Sequence, residues 1–228
     1  MIHKPYKLRK PGFSRRRLQE PWSETLTLSD GRELLLRPLR KSDAAALREG
    51  FKTLTPEEVR FRFLHPMSEL TPARALSLAD IDRRREFALA LRESDAAGKR
   101  VTGAVARVAI DDTGREAEFA IIVASALGGH GLGTYMLRRL IEWCRRKRLQ
   151  AIYGDVLVDN HAMLRVADHL GFRRLPRPDE PGMVRVYMPL GAAAREPRSK
   201  LDGPGRNRGP VVRKGRKERK GRSQRPRV

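Results

Sequence analysis

The sequence predicts an α/β fold of the α+β kind: a mixed, mostly antiparallel central sheet flanked by helices, with a βαβ unit in its second half. Two observations predict it. Apolar runs at 86–91 (EFALAL), 101–110 (VTGAVARVAI) and Glu116–Val123 (EAEFAIIV) are separated by turn-forming residues, as in an antiparallel meander. The third run leads through a glycine-rich loop, Gly128-Gly129-His130-Gly131-Leu132-Gly133-Thr134, into an amphipathic helix pattern and then a further strand pattern at 151–158. That order is a βαβ unit, whose crossover is expected to be right-handed.

Taken in order, Ser29-Asp30-Gly31 forms a turn before a strand at 33–39, which Pro38 ends or confines to an edge. Ser42 is the N-cap candidate for a helix over Ala44–Phe51, with Asp43 in its first turn. Thr55-Pro56-Glu57-Glu58 and Thr71-Pro72 are two more helix starts, each a capping hydroxyl followed by proline at the first helical position. The second of these helices is expected to reach 81. Strands at 86–91 and 101–110 are joined through 94–98, and Asp111-Asp112-Thr113-Gly114 turns the chain into Glu116–Val123. After the glycine loop, Leu132, Met136, Leu140 and Trp143 form one helical stripe, with Leu137, Ile141 and Cys144 beside it. A helix over 160–170 is closed by Gly171, and 184–190 is the last strand. There is no internal repeat.

With 228 residues, the chain is read as one domain over 24–194, a basic flexible segment at 1–23 and a basic disordered tail at 195–228. The formal net charge of +22 sits mostly outside the domain, with +11 in the tail and +6 in the first 22 residues. Such tails bind nucleic acid through salt-sensitive phosphate contacts or act only as solubilising segments. The tail has no aromatic residue to stack on bases, so any binding there is expected to be electrostatic. The single cysteine, Cys144, excludes an internal disulfide framework and falls on the apolar side of its helix, where a structural thiol is expected. No apolar run approaches a membrane span and the amino terminus lacks an apolar signal core, so the expected location is cytoplasmic. No metal site is expected, and the sequence is compatible with a monomer or a homodimer.

The glycine loop carries the chemistry. Closely spaced glycines permit positive φ and bring amide N–H groups toward an anion, and the following helix adds unpaired donors and the positive end of its dipole. No Lys-Ser or Lys-Thr pair follows the glycines, so a metal-free pyrophosphate fits better than a nucleoside triphosphate.

These residues in this order resemble the Gcn5-related N-acetyltransferase family, whose cofactor is acetyl-coenzyme A. Gly128, Gly131 and Gly133 match the family's loop positions, although Gly128 replaces its leading Gln or Arg. Asn160 and Leu170-Gly171-Phe172 look like its later cofactor-side segment. A narrower similarity, over about Asp30 to Arg174, is to the acetyltransferase domain of bacterial Pat-type protein lysine acetyltransferases. It is carried by Glu57-Glu58-Val59-Arg60-Phe61-Arg62-Phe63, Glu69-Leu70-Thr71-Pro72, Ile81-Asp82 and Arg85-Glu86. The regulatory domains often fused to those proteins are not expected here.

The resemblance implies an acetyl-CoA-dependent N-acetyltransferase, acting on protein lysines by direct attack. The alternatives are a small-amine acetyltransferase and a non-catalytic module binding nucleic acid through its tails. A lysine amine, with a pKa of about 10.4, must lose a proton before it attacks. Glu118 matches the family's general base, with Glu116 as the fallback; without the resemblance Glu118 also reads as a solvated strand residue. Burial beside Phe119 and Ile121 is expected to raise its pKa. The thioester carbonyl is expected to meet a backbone N–H within 122–124, at a bulge in the strand, Val123 first and Ile122 beside it. Gly128, Gly129, His130, Gly131, Leu132, Gly133 and Thr134 are expected around the pyrophosphate, and Asn160 and Met163 along the pantetheine arm. His130 either contacts phosphate or is merely exposed; Asn160 either bonds the arm or only caps its helix. Many relatives place a tyrosine where this chain has Ala167, which removes the usual proton donor for the leaving thiolate. A thiol with a pKa of about 8.5 is a tolerable leaving group unaided.

Overall fold

The computed structural model describes residues 13–18, 23–94 and 100–191. Among them nine strands form one sheet: β1 (Phe13–Leu18), β2 (Ser23–Leu28), β3 (Glu33–Pro38), β4 (Glu86–Ser94), β5 (Arg100–Ile110), β6 (Glu116–Val123), β7 (Ala151–Leu157), β8 (Arg173–Pro176) and β9 (Met183–Pro189). Their spatial order is β1-β2-β3-β4-β5-β6-β7-β9-β8. Only β6 and β7 run parallel; every other neighbouring pair is antiparallel. Five α-helices accompany the sheet: α1 (Ala44–Phe51), α2 (Pro56–Phe63), α3 (Pro72–Ala79), α4 (Leu132–Arg146) and α5 (His161–Leu170).

The alternation in EFALAL builds both layers at once. Leu89 and Leu91 join the core under α4 and α5, while Ala88 and Ala90 face α1 and α3. All four are fully buried, and the small alanines let the first three helices lie close to the sheet. On the other face, the predicted stripe of α4 is what packs: Leu132, Met136, Leu137, Leu140, Ile141 and Cys144 are all buried. The Trp143 ring stacks on Phe87 with 5.9 Å between centroids. Burial pushes the Cys144 thiol up to about 12. Iodoacetamide at neutral pH is therefore expected to leave the native chain unmodified and to add one group after denaturation, read by intact mass.

The helix starts form as the sequence predicts at Thr55 and Thr71. The Thr55 hydroxyl accepts from the Glu58 N–H while the Glu58 carboxylate accepts from the Thr55 N–H, and Thr71 accepts from the Arg74 N–H. Ser42 is not the cap of α1. A 3-10 turn over Lys41–Asp43 precedes that helix, and Asp43 holds the N-cap position without capping it. Its buried carboxylate instead accepts two bonds of 2.7 Å from the Arg37 guanidinium and one of 2.9 Å from the Arg40 N–H.

Three strands are absent from the sequence reading. β1 lies within the 1–23 segment expected to be flexible, and its backbone pairs with β2 from Phe13↔Leu28 to Leu18↔Ser23. β2 alternates buried and partly exposed residues, but buried Glu24 masks the apolar period. Glu24 bonds the Tyr135 hydroxyl and Arg139, both on α4, and so is held as a polar group within the core layer. β8 has four exposed residues and no hydrophobic signal. The rest of the 1–23 segment, the 195–228 tail and most of the 94–98 connection lie outside the described residues.

Candidate active site

The central feature is a divergence of strands. β6 and β7 pair only at Glu116↔Ala151, Ala117↔Ile152 and Glu118↔Tyr153. Beyond Glu118 they part, and Phe119 stands beside the gap. A Cβ at Gly154 would come within 2.9 Å of the Phe119 ring, so only glycine leaves room for it there. The same ring meets Phe172 edge-on at 5.5 Å, closing the floor of the cleft on the α4–α5 side.

No bulge accompanies this divergence. The β5–β6 register is continuous from Ile110↔Ala117 to Ala104↔Val123, which corrects the expectation that a bulge in β6 frees an amide. Alternation does the work instead. The Ala124 N–H donates to the Gly103 carbonyl on β5 at 2.9 Å. Successive peptide groups along a strand point to opposite sides, so the N–H of Ile122 also faces β5, while those of Val123 and Ile121 face the open gap. Of the two expected residues, Val123 thus turns its N–H to the gap and Ile122 to β5, and Ile121, which the sequence alone does not single out, also faces the gap.

The glycine loop lies at the end of β6. Ser125–Leu127 form a 3-10 turn whose last bond runs from the Gly128 N–H to the Ser125 carbonyl, at 2.8 Å. The Gly128 amide is thus spent within the turn. Gly129 and Gly131 both have φ of +80°, in the region that favours glycine. Gly131 is the N-cap of α4 and has no side chain to satisfy the helix start. The first bond into the helix comes from the Tyr135 N–H, leaving those of Leu132, Gly133 and Thr134 without intrahelical partners. Leu132 contributes only its backbone, because its side chain is core. The Thr134 side chain makes no hydrogen bond among the described residues and is half-buried at this helix start. His130 is half-buried near Asp30, whose carboxyl its charge helps to lower behind the larger effect of bonds from Arg32. These free amides, the helix dipole and the two left-handed glycines fit a pyrophosphate.

Across the cleft, Asn160 caps α5: its side chain accepts from the Met163 N–H at 3.0 Å. The capping bond is made, and the amide nitrogen and the second lone pair of Oδ1 remain for a ligand. Met163 is partly exposed and packs its remainder against the core. Ala167 is fully buried, so a hydroxyl there would have to displace core packing.

Glu118 is solvent-accessible at the point where the strands part. Its pKa is nonetheless raised, first by partial desolvation and then by the nearby Asp155 carboxylate, against the opposing pull of Arg185, Arg62 and Arg177. Burial is the leading cause, as the sequence predicts, although Phe119 and Ile121 themselves lie on the opposite sheet face. The surroundings are polar and ordered. Asp155 accepts two bonds from Arg185, at 2.8 and 2.7 Å, and one from Arg177 at 3.1 Å. Arg185 lies over the Tyr153 ring at 4.3 Å, and the Tyr153 hydroxyl is raised by desolvation and by Glu118. Glu116, the fallback base, accepts from the Tyr187 hydroxyl at 2.8 Å, a committed position on the same face. Tyr153, Asp155 and Arg185 emerge only from strand register. Among the described residues no group of His, Cys, Asp and Glu is arranged to hold a metal ion.

An amide-lined anion site at a helix start, backbone donors along a parting strand and a carboxylate of raised pKa together describe a site for acyl transfer from a nucleotide-bearing thioester. Residues 33–173 match the family model described as an acetyltransferase (GNAT) domain, and the chain belongs to that family. It is 32% identical over 163 residues to the Pseudomonas aeruginosa acetyltransferase PA5475, covering 72% of this chain and 86% of that one. Its fold is similar to the GNAT domain of S. lividans PAT, with TM-score 0.65 and 24% identity over 76% of this chain and 99% of that one. It is also similar to yncA of Salmonella typhimurium, solved with its cofactor acetyl-CoA, with TM-score 0.54 and 21% identity over 70% and 95% of the two chains. Family membership makes this protein an acetyltransferase, and acetyl-CoA is the donor that the family uses.

Proposed function

We propose that this protein transfers the acetyl group of acetyl-CoA to lysine side chains of proteins by direct attack, with Glu118 as general base. The observation that carries the reading is the placement of Glu118 where β6 and β7 part, three residues before the first cleft-facing amide. At about 3.3 Å per residue, the Ile121 N–H is about 10 Å along the strand from Glu118. That span accommodates an amine and one water between carboxylate and carbonyl, so the proton leaves the amine through water. Bound acetyl-CoA supplies the thioester. Leu132, Gly133 and Thr134 amides hold its pyrophosphate, and Ile121 and Val123 amides polarise the carbonyl oxygen.

The lysine acceptor rests on the Pat-like segments at 57–63, 69–72 and 81–86. Of these, α2 is tied across the cleft: Glu58 accepts from the Ser125 N–H at 2.5 Å, and Arg60 pairs with Asp159 in the turn before α5. Incubating the full chain with acetyl-CoA and a panel of proteins is expected to yield acetyl-lysine by mass spectrometry. Acetylation of free amines without any protein would sink the lysine assignment, and absence of calorimetric heat with acetyl-CoA would sink the donor. A cytoplasmic site of action goes with this reading.

A further inference from the structure

Beneath α1 and α2, on the acceptor side of the sheet, lies a cavity of about 60 Å³. Phe51, Phe63, Val105 and Ile122 give it apolar walls, and Ile122 places it directly beside the cleft-facing amides of β6. One water needs only about 10–15 Å³ of such space, so the cavity holds several heavy atoms. Two polar groups in its lining have no hydrogen-bond partner among the described residues. The Thr102 hydroxyl is buried and makes no hydrogen bond, on a residue only 6% exposed. Arg62 of α2 rests its guanidinium 4.9 Å from the Phe63 ring and has neither a hydrogen bond nor an acid within ion-pair distance among the described residues. Arg107 also lines the cavity, but Glu86 takes its charge at 2.6 Å. Desolvation, then repulsion from Arg107, lowers the Arg62 guanidinium to about 10. Arg62 and the Thr102 hydroxyl both line this apolar recess, and a half-buried cation there is a site for a carboxylate carried on a short hydrocarbon arm.

We infer that this cavity is an acyl pocket that selects short dicarboxylic acyl-CoA donors over neutral ones, with Arg62 and Thr102 receiving the distal carboxylate. The inference rests on the acyl-CoA reading and extends it. Ile122 of the lining stands between the two amides assigned to the thioester carbonyl, so the anion is placed on the donor. In the transfer, the amine nitrogen bonds to the acyl carbon as the carbon–sulfur bond breaks. The amine's proton passes by way of Glu118 and water to the departing thiolate, leaving an amide with a free carboxylate and coenzyme A thiol.

Succinyl-CoA and butyryl-CoA have the same number of acyl carbons and differ in the terminal carboxylate, so their calorimetric affinity ratio on the full chain isolates this contact. Succinyl-CoA is expected to bind about tenfold tighter, the size of a charge-assisted hydrogen bond. Arg62→Gln is expected to bring the ratio near one, Arg62→Lys to retain part of it, and Thr102→Val to reduce it a few-fold, with circular dichroism checking each fold. If acetyl-CoA binds but the wild-type ratio is one, or if Arg62→Gln leaves the ratio unchanged, the pocket assignment is wrong. A ratio of one together with preference for carboxylate-bearing amines over their decarboxylated counterparts puts the anion on the acceptor and overturns it as well. Failure of every thioester to bind, acetyl-CoA included, removes the donor reading itself.

Discussion

Replacing Glu118 by Gln is expected to lower kcat by about 10²- to 10⁴-fold, the usual contribution of a positioned general base. The amide keeps the size and hydrogen-bonding reach of the carboxylate but does not accept the proton. Because desolvation and Asp155 raise the Glu118 pKa, the acidic limb of kcat/KM is expected above the ordinary glutamate value of about 4.3. The sign is fixed by the role: the base works deprotonated, so activity falls as pH drops through the raised pKa. In Glu118→Gln that limb disappears along with the rate. Asp155→Asn removes one source of the upward shift and is expected to move the limb to lower pH, provided that Arg185 and Arg177 stay in place. Stopped-time assays of thiol release across pH 4–9 read all three outcomes. A mutant that keeps more than a tenth of wild-type kcat would exclude Glu118 as the base.

Elements whose apolar period is undisturbed are legible in the sequence. α4 declares its stripe, β4 its double-sided burial, and Thr55 and Thr71 their caps, because each signal is local. β2 is hidden by Glu24, a charged residue in a core-facing position that is satisfied by Tyr135 and Arg139 more than a hundred residues away. The site divides in the same way. Glu118 and the glycines are found because a strand, a loop and a helix follow one another along the chain. Which amide faces the cleft depends on the register with β5, and which groups surround Glu118 depends on β7 and β9; neither pairing is written in any one segment. The Arg62–Thr102 cavity is more remote still, since its walls come from α1, α2, β5 and β6 together.

Asp43 is a position where a large effect on stability is expected. Asp43→Ala is expected to destabilise the chain by about 3–5 kcal/mol, because it leaves the Arg37 guanidinium buried without its partner. Only 8% of Arg37 and 3% of Asp43 is exposed, so water replaces little of the lost bonding. The change also frees the Arg40 N–H at the turn into α1, loosening the helix that walls the cavity. Breaking the pair and deleting it are different perturbations. Arg37→Met with Asp43→Leu removes both charges and is expected to recover most of the loss, as apolar replacement of buried pairs often does. Burial pushes the Asp43 carboxyl upward, but hydrogen bonds from Arg37 and Arg40 and the charges of Arg37 and Arg92 outweigh it and leave the pKa lowered. A folded-state pKa below the unfolded value of about 3.9 means that the contribution is complete at neutral pH and fades as pH falls through the lower folded value. Urea unfolding at pH 7 is thus expected to separate wild type from Asp43→Ala widely, and the gap to narrow as pH falls below the unfolded value of about 3.9. A gap that stays constant across this range would assign the loss to packing rather than to the ion pair.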